Sequence, residues 1–207
     1  MMNKFIEFLM ILAISVAFWG CAAAKPDIKV EKISVEPGGY VTFKGTEHKL
    51  LGTPVAVGKP ISSAKIVDAF SLTETDLSKM KGKVLFVSIV PSVDTKVCEA
   101  QTHYLGEEGD RLPAGVQRIT ISRDLPFAQK RFAEEAKLTD IQYFSDYKTG
   151  DFGKSMGLLV DDLMLLARSV IVVDREGVIQ YIQVVPELTH LPDMEAAFQK
   201  VEEMIGS

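Results

Sequence analysis

The run Val84-Leu85-Phe86-Val87-Ser88-Ile89-Val90, followed at once by Pro91-Ser92-Val93-Asp94-Thr95-Lys96-Val97-Cys98, constrains the fold more than any other stretch. An apolar, β-branched run of this length reads as a buried strand, which requires packed layers on both faces of a sheet. Thr95 to about Tyr104 then reads as the opening turns of a helix, so Cys98 falls in its first turn. There the unpaired backbone N–H groups and the positive end of the helix dipole favour an anion. A thiol so placed tends to become a nucleophilic thiolate, whereas a lone buried cysteine is often only an inert small hydrophobe. Position alone leaves both readings open.

Around this centre the chain alternates extended and helical patterns. Tyr40–Gly45 and Glu47–Gly52 read as a hairpin about a glycine turn. Ala69–Leu72 reads as a short extended piece, and Asp76-Leu77-Ser78 as a single helical turn. The Cys98 helix runs to about Arg111, where Pro113-Ala114-Gly115 breaks it, and Val116–Ser122 is the next strand. Asp124 is placed to cap a helix over Pro126–Lys137, with Phe127, Phe132, Ala133 and Ala136 on one face. Ile141–Ser145 reads as a strand and Asp151–Leu158 as a short helix. Arg168–Asp174 and Val178–Val185 form a second hairpin across Arg175-Glu176-Gly177, and a helix from about Pro192 to Ile205 closes the chain. This order, ββ, βαβαβ(α), ββα, predicts an α/β sandwich of thioredoxin-like type: a central mixed sheet, an N-terminal β-hairpin and a closing C-terminal helix. A thioredoxin proper carries Cys-x-x-Cys after its first main strand. Here a single cysteine stands there, so exchange between two internal thiols at that point is excluded.

With 207 residues, 47% of them apolar, the chain is long enough for one full core plus a terminal appendage. A net charge of −5 gives no support to nucleic-acid binding, which usually needs a basic face. His48, His103 and His190 form no spaced cluster with cysteine, so no metal site is read and no cofactor is called for.

Residues 1–20 read as an export signal: Lys4 precedes the apolar run Phe8–Trp19, and small residues follow. Gly20 before Cys21 resembles a bacterial lipoprotein cleavage site, which would make Cys21 the lipidated first residue; Phe18 and Trp19 depart from the usual pattern there. An ordinary cleaved signal and a retained anchor stay open, the apolar stretch being slightly short of the roughly 20 residues a spanning helix needs. Each alternative places the domain outside the cytoplasm, facing the periplasm and tethered to the membrane if the lipid or the anchor is retained. Residues 21–39 read as a flexible tether and 40–207 as the domain. If Cys21 is acylated or removed, Cys98 is the one free thiol of an exported chain.

Pro-x-x-x-Thr-x-x-Cys after a strand resembles the signature of the peroxiredoxins. Three segments, PSVDTKVCEAQT (91–102), SRDLPFAQKRF (122–132) and ARSVIVVD (167–174), resemble the thiol peroxidase subfamily in particular. The resemblance spans residues 40 to 205. It implies that Cys98 is the peroxidatic cysteine, that Thr95 and Pro91 are its signature partners, and that Arg168 is the active-site arginine. It further implies reduction of hydrogen peroxide and organic hydroperoxides through a sulfenic acid, and a homodimer. The chemistry of these residue types agrees, because the thiolate attacks the O–O bond and a guanidinium is a permanently charged, multi-donor partner for it. Taken singly, Thr95 could be only a helix cap, Pro91 only a strand terminator, and Arg168 only a surface ion-pair partner. Gln101 and Arg131 fall near the site by motif position.

The chain departs from the subfamily pattern at Ala133, where those relatives usually carry a second, resolving cysteine. A one-cysteine cycle follows, with an external thiol (a thioredoxin-like protein or a small thiol) reducing oxidised Cys98. The alternative from another class is a membrane-tethered redox sensor, or a non-catalytic thioredoxin-like binding module. A glutathione-peroxidase-like enzyme is excluded, because its catalytic tryptophan has no counterpart: Trp19 lies in the export segment.

Overall fold

The computed structural model describes residues 27–206. The export signal and Cys21 lie outside them. The strands are β1 (Val30–Glu31), β2 (Tyr40–Phe43), β3 (Thr46–Leu51), β4 (Ile66–Asp68), β5 (Glu74–Thr75), β6 (Val84–Ile89), β7 (Val116–Ser122), β8 (Gln142–Ser145), β9 (Leu159–Val160), β10 (Ser169–Val173), β11 (Ile179–Val184) and β12 (Leu191–Pro192). The helices are α1 (Lys96–Glu107), α2 (Pro126–Ala136), α3 (Asp151–Met156) and α4 (Met194–Ile205).

The main sheet has the strand order β11-β10-β6-β7-β8-β4-β5. β6, β7 and β8 run parallel, while β10, β11, β4 and β5 pair antiparallel outside them. This is the mixed, thioredoxin-like sheet expected from the element order. Every residue of β6 is buried, and its side chains alternate between two cores as the period of a strand demands. Val84 and Phe86 join Leu105 of α1, Ala133 of α2 and Phe198 of α4 on one face. Leu85, Val87 and Ile89 join Val41 and Leu50 of the hairpin and Phe152 of α3 on the other. Phe86 meets Phe198 edge-to-face at 5.0 Å between centroids, an arrangement the ring quadrupole favours. The closing helix is therefore fixed to the same strand that delivers Cys98.

The β2–β3 hairpin turns through Lys44 and Gly45, both at positive φ (52° and 81°), the two-residue form that matches strand twist. It joins β9 in a small separate sheet. Its far end is fitted closely against α3: at Gly52 (φ +112°) a Cβ would lie 1.9 Å from the Lys154 carbonyl oxygen.

Several local expectations are corrected. The extended piece lies at Ile66–Asp68 rather than Ala69–Leu72. Asp68 Oδ1 accepts from the backbone of Phe70 and Ser71, which closes a turn there instead. Phe127 points into solvent, 66% exposed, so the buried face of α2 rests on Pro126, Gln129 and Ala133. The segment read as a tether through residue 39 is hydrogen-bonded to the domain at several points of its described part. Val30 and Glu31 pair in parallel with Leu191 and Pro192, Val35 donates to the Val184 carbonyl, and Gln183 Nε2 donates to the Glu31 carbonyl. No helix among the described residues is long and apolar enough to cross a membrane.

Candidate active site

β6 runs into the loop that places Cys98. Val90 donates its N–H to the Ile121 carbonyl, which holds the chain beside β7 one residue past the strand. Pro91, buried, ends the pairing. Asp124 then secures the loop: Oδ1 accepts from Ser92 Oγ at 2.8 Å, and Oδ2 from Val93 N at 2.7 Å and Ser122 Oγ at 2.7 Å. The sequence places Asp124 to cap α2. Leu125 occupies that cap position instead, and the carboxylate is turned toward the Cys98 loop.

Thr95 is the N-cap of α1, in extended conformation, and its hydroxyl accepts from the Cys98 N–H at 3.4 Å. The same hydroxyl donates to Cys98 Sγ at 2.9 Å. The capping and donor roles thus coexist, because a hydroxyl has both a proton and free lone pairs. Cys98, the free cysteine among the described residues, is fully buried beneath Val90, Val93 and Phe132.

Arg168 sits at the start of β10, only 2% exposed. Its Nη2 donates to Cys98 Sγ at 3.2 Å, Nη1 to Gln101 Oε1 at 2.8 Å, and Nε to the Leu188 carbonyl at 2.9 Å. Gln101 is buried one turn along α1 from Cys98, and its Nε2 donates to Ser88 Oγ at 2.8 Å. That bond explains the one polar residue in the β6 run. The reading of Arg168 as a surface ion-pair partner is ruled out, since Arg168 is buried and is in none of the Lys or Arg ion pairs among the described residues. A buried guanidinium keeps its charge and must be compensated locally. Its neutral acceptors are an amide and a carbonyl; the remaining one is the sulfur. A negative charge on Cys98 would complete the set.

A pocket of about 310 Å³ opens over these donors, lined by Pro91, Thr95, Val97 and Arg168 below and by Phe43, Leu163, Leu165 and Leu188 around it, with Lys44 and Thr189 also lining it. A larger, shallower depression of about 720 Å³ between Leu51–Thr53, Ser63–Lys65 and α3 contains neither Cys98 nor the groups around it. Arg131 is exposed, with Nη2 3.9 Å from Asp94 Oδ1. Ala133 is wholly buried among Phe86, Leu138 and Tyr143, and its methyl offers no thiol. No cluster of metal-ligating side chains occurs among the described residues.

Residues 56–198 match the Redoxin family model. The thiol peroxidase of Halalkalibacterium halodurans is 42% identical over 159 residues, covering 77% of this chain and 95% of the relative. That of Bacillus subtilis is 38% identical over 165 residues, covering 80% and 98%. The chain belongs to the thiol peroxidase subfamily of the peroxiredoxins. A crystal structure of a peroxiredoxin-like protein from Aquifex aeolicus superposes with a TM-score of 0.72 at 34% identity, over 80% of this chain and 96% of that one. The structure brings Thr95 and Arg168 onto the Cys98 sulfur, with Pro91 lining the pocket beside them. The pocket walls Leu163 and Leu165 come from the β9–β10 connection, where no motif or periodicity marks them. Nor does any local signal assign Asp124 to the loop; the Ser92/Asp124 juxtaposition is visible only once β6 and β7 are paired.

Proposed function

We propose that this chain is a peroxidase that reduces hydrogen peroxide and organic hydroperoxides with electrons from an external thiol. The observation that carries this reading is the buried Arg168 guanidinium, whose acceptors are an amide, a carbonyl and Cys98 Sγ, the sulfur being the one of the three that can carry a balancing charge. The Cys98 thiolate attacks one peroxide oxygen; an S–O bond forms as the O–O bond breaks, and the departing alkoxide or hydroxide takes up a proton. Cys98 is left as a sulfenic acid, oxidised by two electrons. Arg168 and the Thr95 hydroxyl serve as preorganised donors to the charge that shifts from sulfur to oxygen, the kind of contribution whose removal costs about 10²–10³-fold in rate. Pro91 shields the sulfur from water. The apolar walls of the pocket favour peroxides with an organic group.

An external thiol then attacks the sulfenic sulfur, forming a mixed disulfide and releasing water, and a second thiol frees Cys98 as a thiolate. Ala133 stands where the subfamily's resolving cysteine is expected, which supports this one-cysteine cycle. The complete donor set favours turnover over a sensor or binding role. We further propose that the domain is an extracytoplasmic, membrane-tethered lipoprotein, on the strength of the Phe8–Ala24 segment with Gly20-Cys21. A homodimer is proposed from the subfamily resemblance and from exposed Leu125 and Phe127 at the start of α2. Stopped-flow mixing of the reduced protein with hydrogen peroxide and with cumene hydroperoxide tests the central reading: rapid oxidation confined to Cys98 supports it, and loss of that phase in Cys98→Ser assigns it. Intact mass of the exported protein tests acylation at Cys21, and sedimentation tests the dimer.

A further inference from the structure

The strongest polar cluster outside the sulfur site is built on Glu187, which touches neither Cys98 nor Arg168. Its Oε2 accepts from Thr42 Oγ1 at 2.8 Å and from the Gly45 N–H at 3.1 Å. Its Oε1 accepts from the Lys44 N–H at 3.1 Å, the Thr189 N–H at 3.1 Å and Thr189 Oγ1 at 2.8 Å. One carboxylate thereby joins both ends of a backbone clasp in which Thr42 N donates to the Pro186 carbonyl and Leu188 N to the Thr42 carbonyl. The elements it joins are the Lys44–Gly45 turn of the hairpin and the Leu188–Thr189 segment. Both line the pocket over Cys98, through Phe43 and Lys44 on one side and Leu188 and Thr189 on the other.

We propose that Glu187 is a positioning residue for the organic part of the substrate. It acts by holding the Phe43 turn against the Leu188 segment, so that these side chains form one continuous apolar wall. This rests on the peroxidase reading of the site. The hairpin belongs to the small sheet rather than the main one, and the Lys44–Gly45 amides face a carboxylate rather than a neighbouring strand. Releasing that carboxylate loosens chiefly the Phe43 turn, because Leu188 keeps its own N–H bond to the Thr42 carbonyl and its carbonyl keeps the Arg168 Nε bond, while Gln101 still holds Arg168 and the α1 cap still holds Thr95. A hydrogen peroxide molecule has no apolar group to place against the wall. An aryl or alkyl hydroperoxide has one, and loss of apolar contact of about a methylene or more discriminates substrates by roughly tenfold or more.

The test compares second-order rate constants for Cys98 oxidation by cumene hydroperoxide and by hydrogen peroxide in the full chain, by stopped flow. Glu187→Gln and Glu187→Ala are expected to lower the cumene hydroperoxide constant about tenfold relative to that for hydrogen peroxide. Thr42→Val, which removes one donor to the carboxylate, should give a smaller change of the same sign. A merely structural role would lower both constants together or lower only the melting temperature. Either result, or an unchanged ratio, overturns the proposal. If Glu187→Ala does not fold, Glu187→Gln and Thr42→Val decide it. Wild-type protein that reacts with neither peroxide faster than free cysteine would instead remove the peroxidase reading itself.

Discussion

Arg168 Nη2 lies 3.2 Å from Cys98 Sγ although the two residues are 70 positions apart in the chain. The contact exists because β10 pairs with β6, which sets Ser169 opposite Ile89 and brings the start of one strand over the end of the other. Arg168→Ala is expected to slow Cys98 oxidation by about 10²–10³-fold. Arg168→Lys should recover little, since an ammonium cannot hold Gln101, Leu188 and the sulfur in one planar fork. Stopped-flow rates with hydrogen peroxide check both.

Gln101 orients that fork from below. Gln101→Leu removes the Nη1 acceptor and leaves Ser88 Oγ without its donor in a closed interior. The expected outcome is a rate loss of about tenfold, with a stability loss of about 1–3 kcal/mol from the unpaired buried groups. Denaturant unfolding and stopped flow, measured on the same variant, separate the two effects.

Glu187 also predicts an acid limb of stability. Burial pushes its carboxyl up, but the hydroxyls of Thr42 and Thr189 and the N–H groups of Thr189 and Gly45 outweigh it, holding the group down at about 2 from an ordinary value of 4.5. The folded value being the lower, the stabilisation is fully present above the unfolded value and fades as pH falls from 4.5 toward about 2. At neutral pH, Glu187→Gln should therefore cost on the order of 1–2 kcal/mol after allowance for solvent screening. The difference between wild type and variant should shrink across that acid window, with other titrating carboxyls cancelling in the comparison. Thermal unfolding at stepped pH measures it.

Without a resolving thiol, oxidised Cys98 has no internal partner among the described residues. One equivalent of peroxide, with no external thiol present, should leave a sulfenic acid trappable by dimedone and no intramolecular disulfide. Excess peroxide should carry it on to sulfinic acid. Mass spectrometry of the tryptic peptide containing Cys98 distinguishes these products.

The parts of this molecule legible in its sequence are those governed by short-range rules. The Val84–Ile89 run, the Thr95 cap and the Lys44–Gly45 turn each follow from local periodicity, capping chemistry or positive φ. As partners of the sulfur, Arg168, Thr95 and Pro91 are legible only through their match to a family signature, since nothing local says that Arg168 is buried or that the capping hydroxyl of Thr95 also donates to Cys98. Asp124 misleads locally: an acidic residue before Leu125-Pro126 reads as a cap, yet the parallel pairing of β6 and β7 offers its carboxylate the better-aligned donors of Ser92 and Val93. Glu187, Leu163 and Leu165 lie in connections with no periodicity, so their convergence on one pocket emerges only from the assembled sheets. Likewise Val30–Glu31 follows a polar, proline-bearing stretch, and its pairing depends on an edge that Leu191–Pro192 supplies from the other end of the chain.

Cys98 is proposed here as a peroxide-reactive nucleophile made so by its setting. The most direct test is the rate at which the reduced protein gains one oxygen atom on Cys98 with hydrogen peroxide, compared with free cysteine at the same pH and with the Arg168→Ala variant. Oxidation is expected to be orders of magnitude faster than that of free cysteine, confined to Cys98 and largely lost in Arg168→Ala. Oxidation at the rate of free cysteine, or a fast rate indifferent to Arg168, would contradict that role.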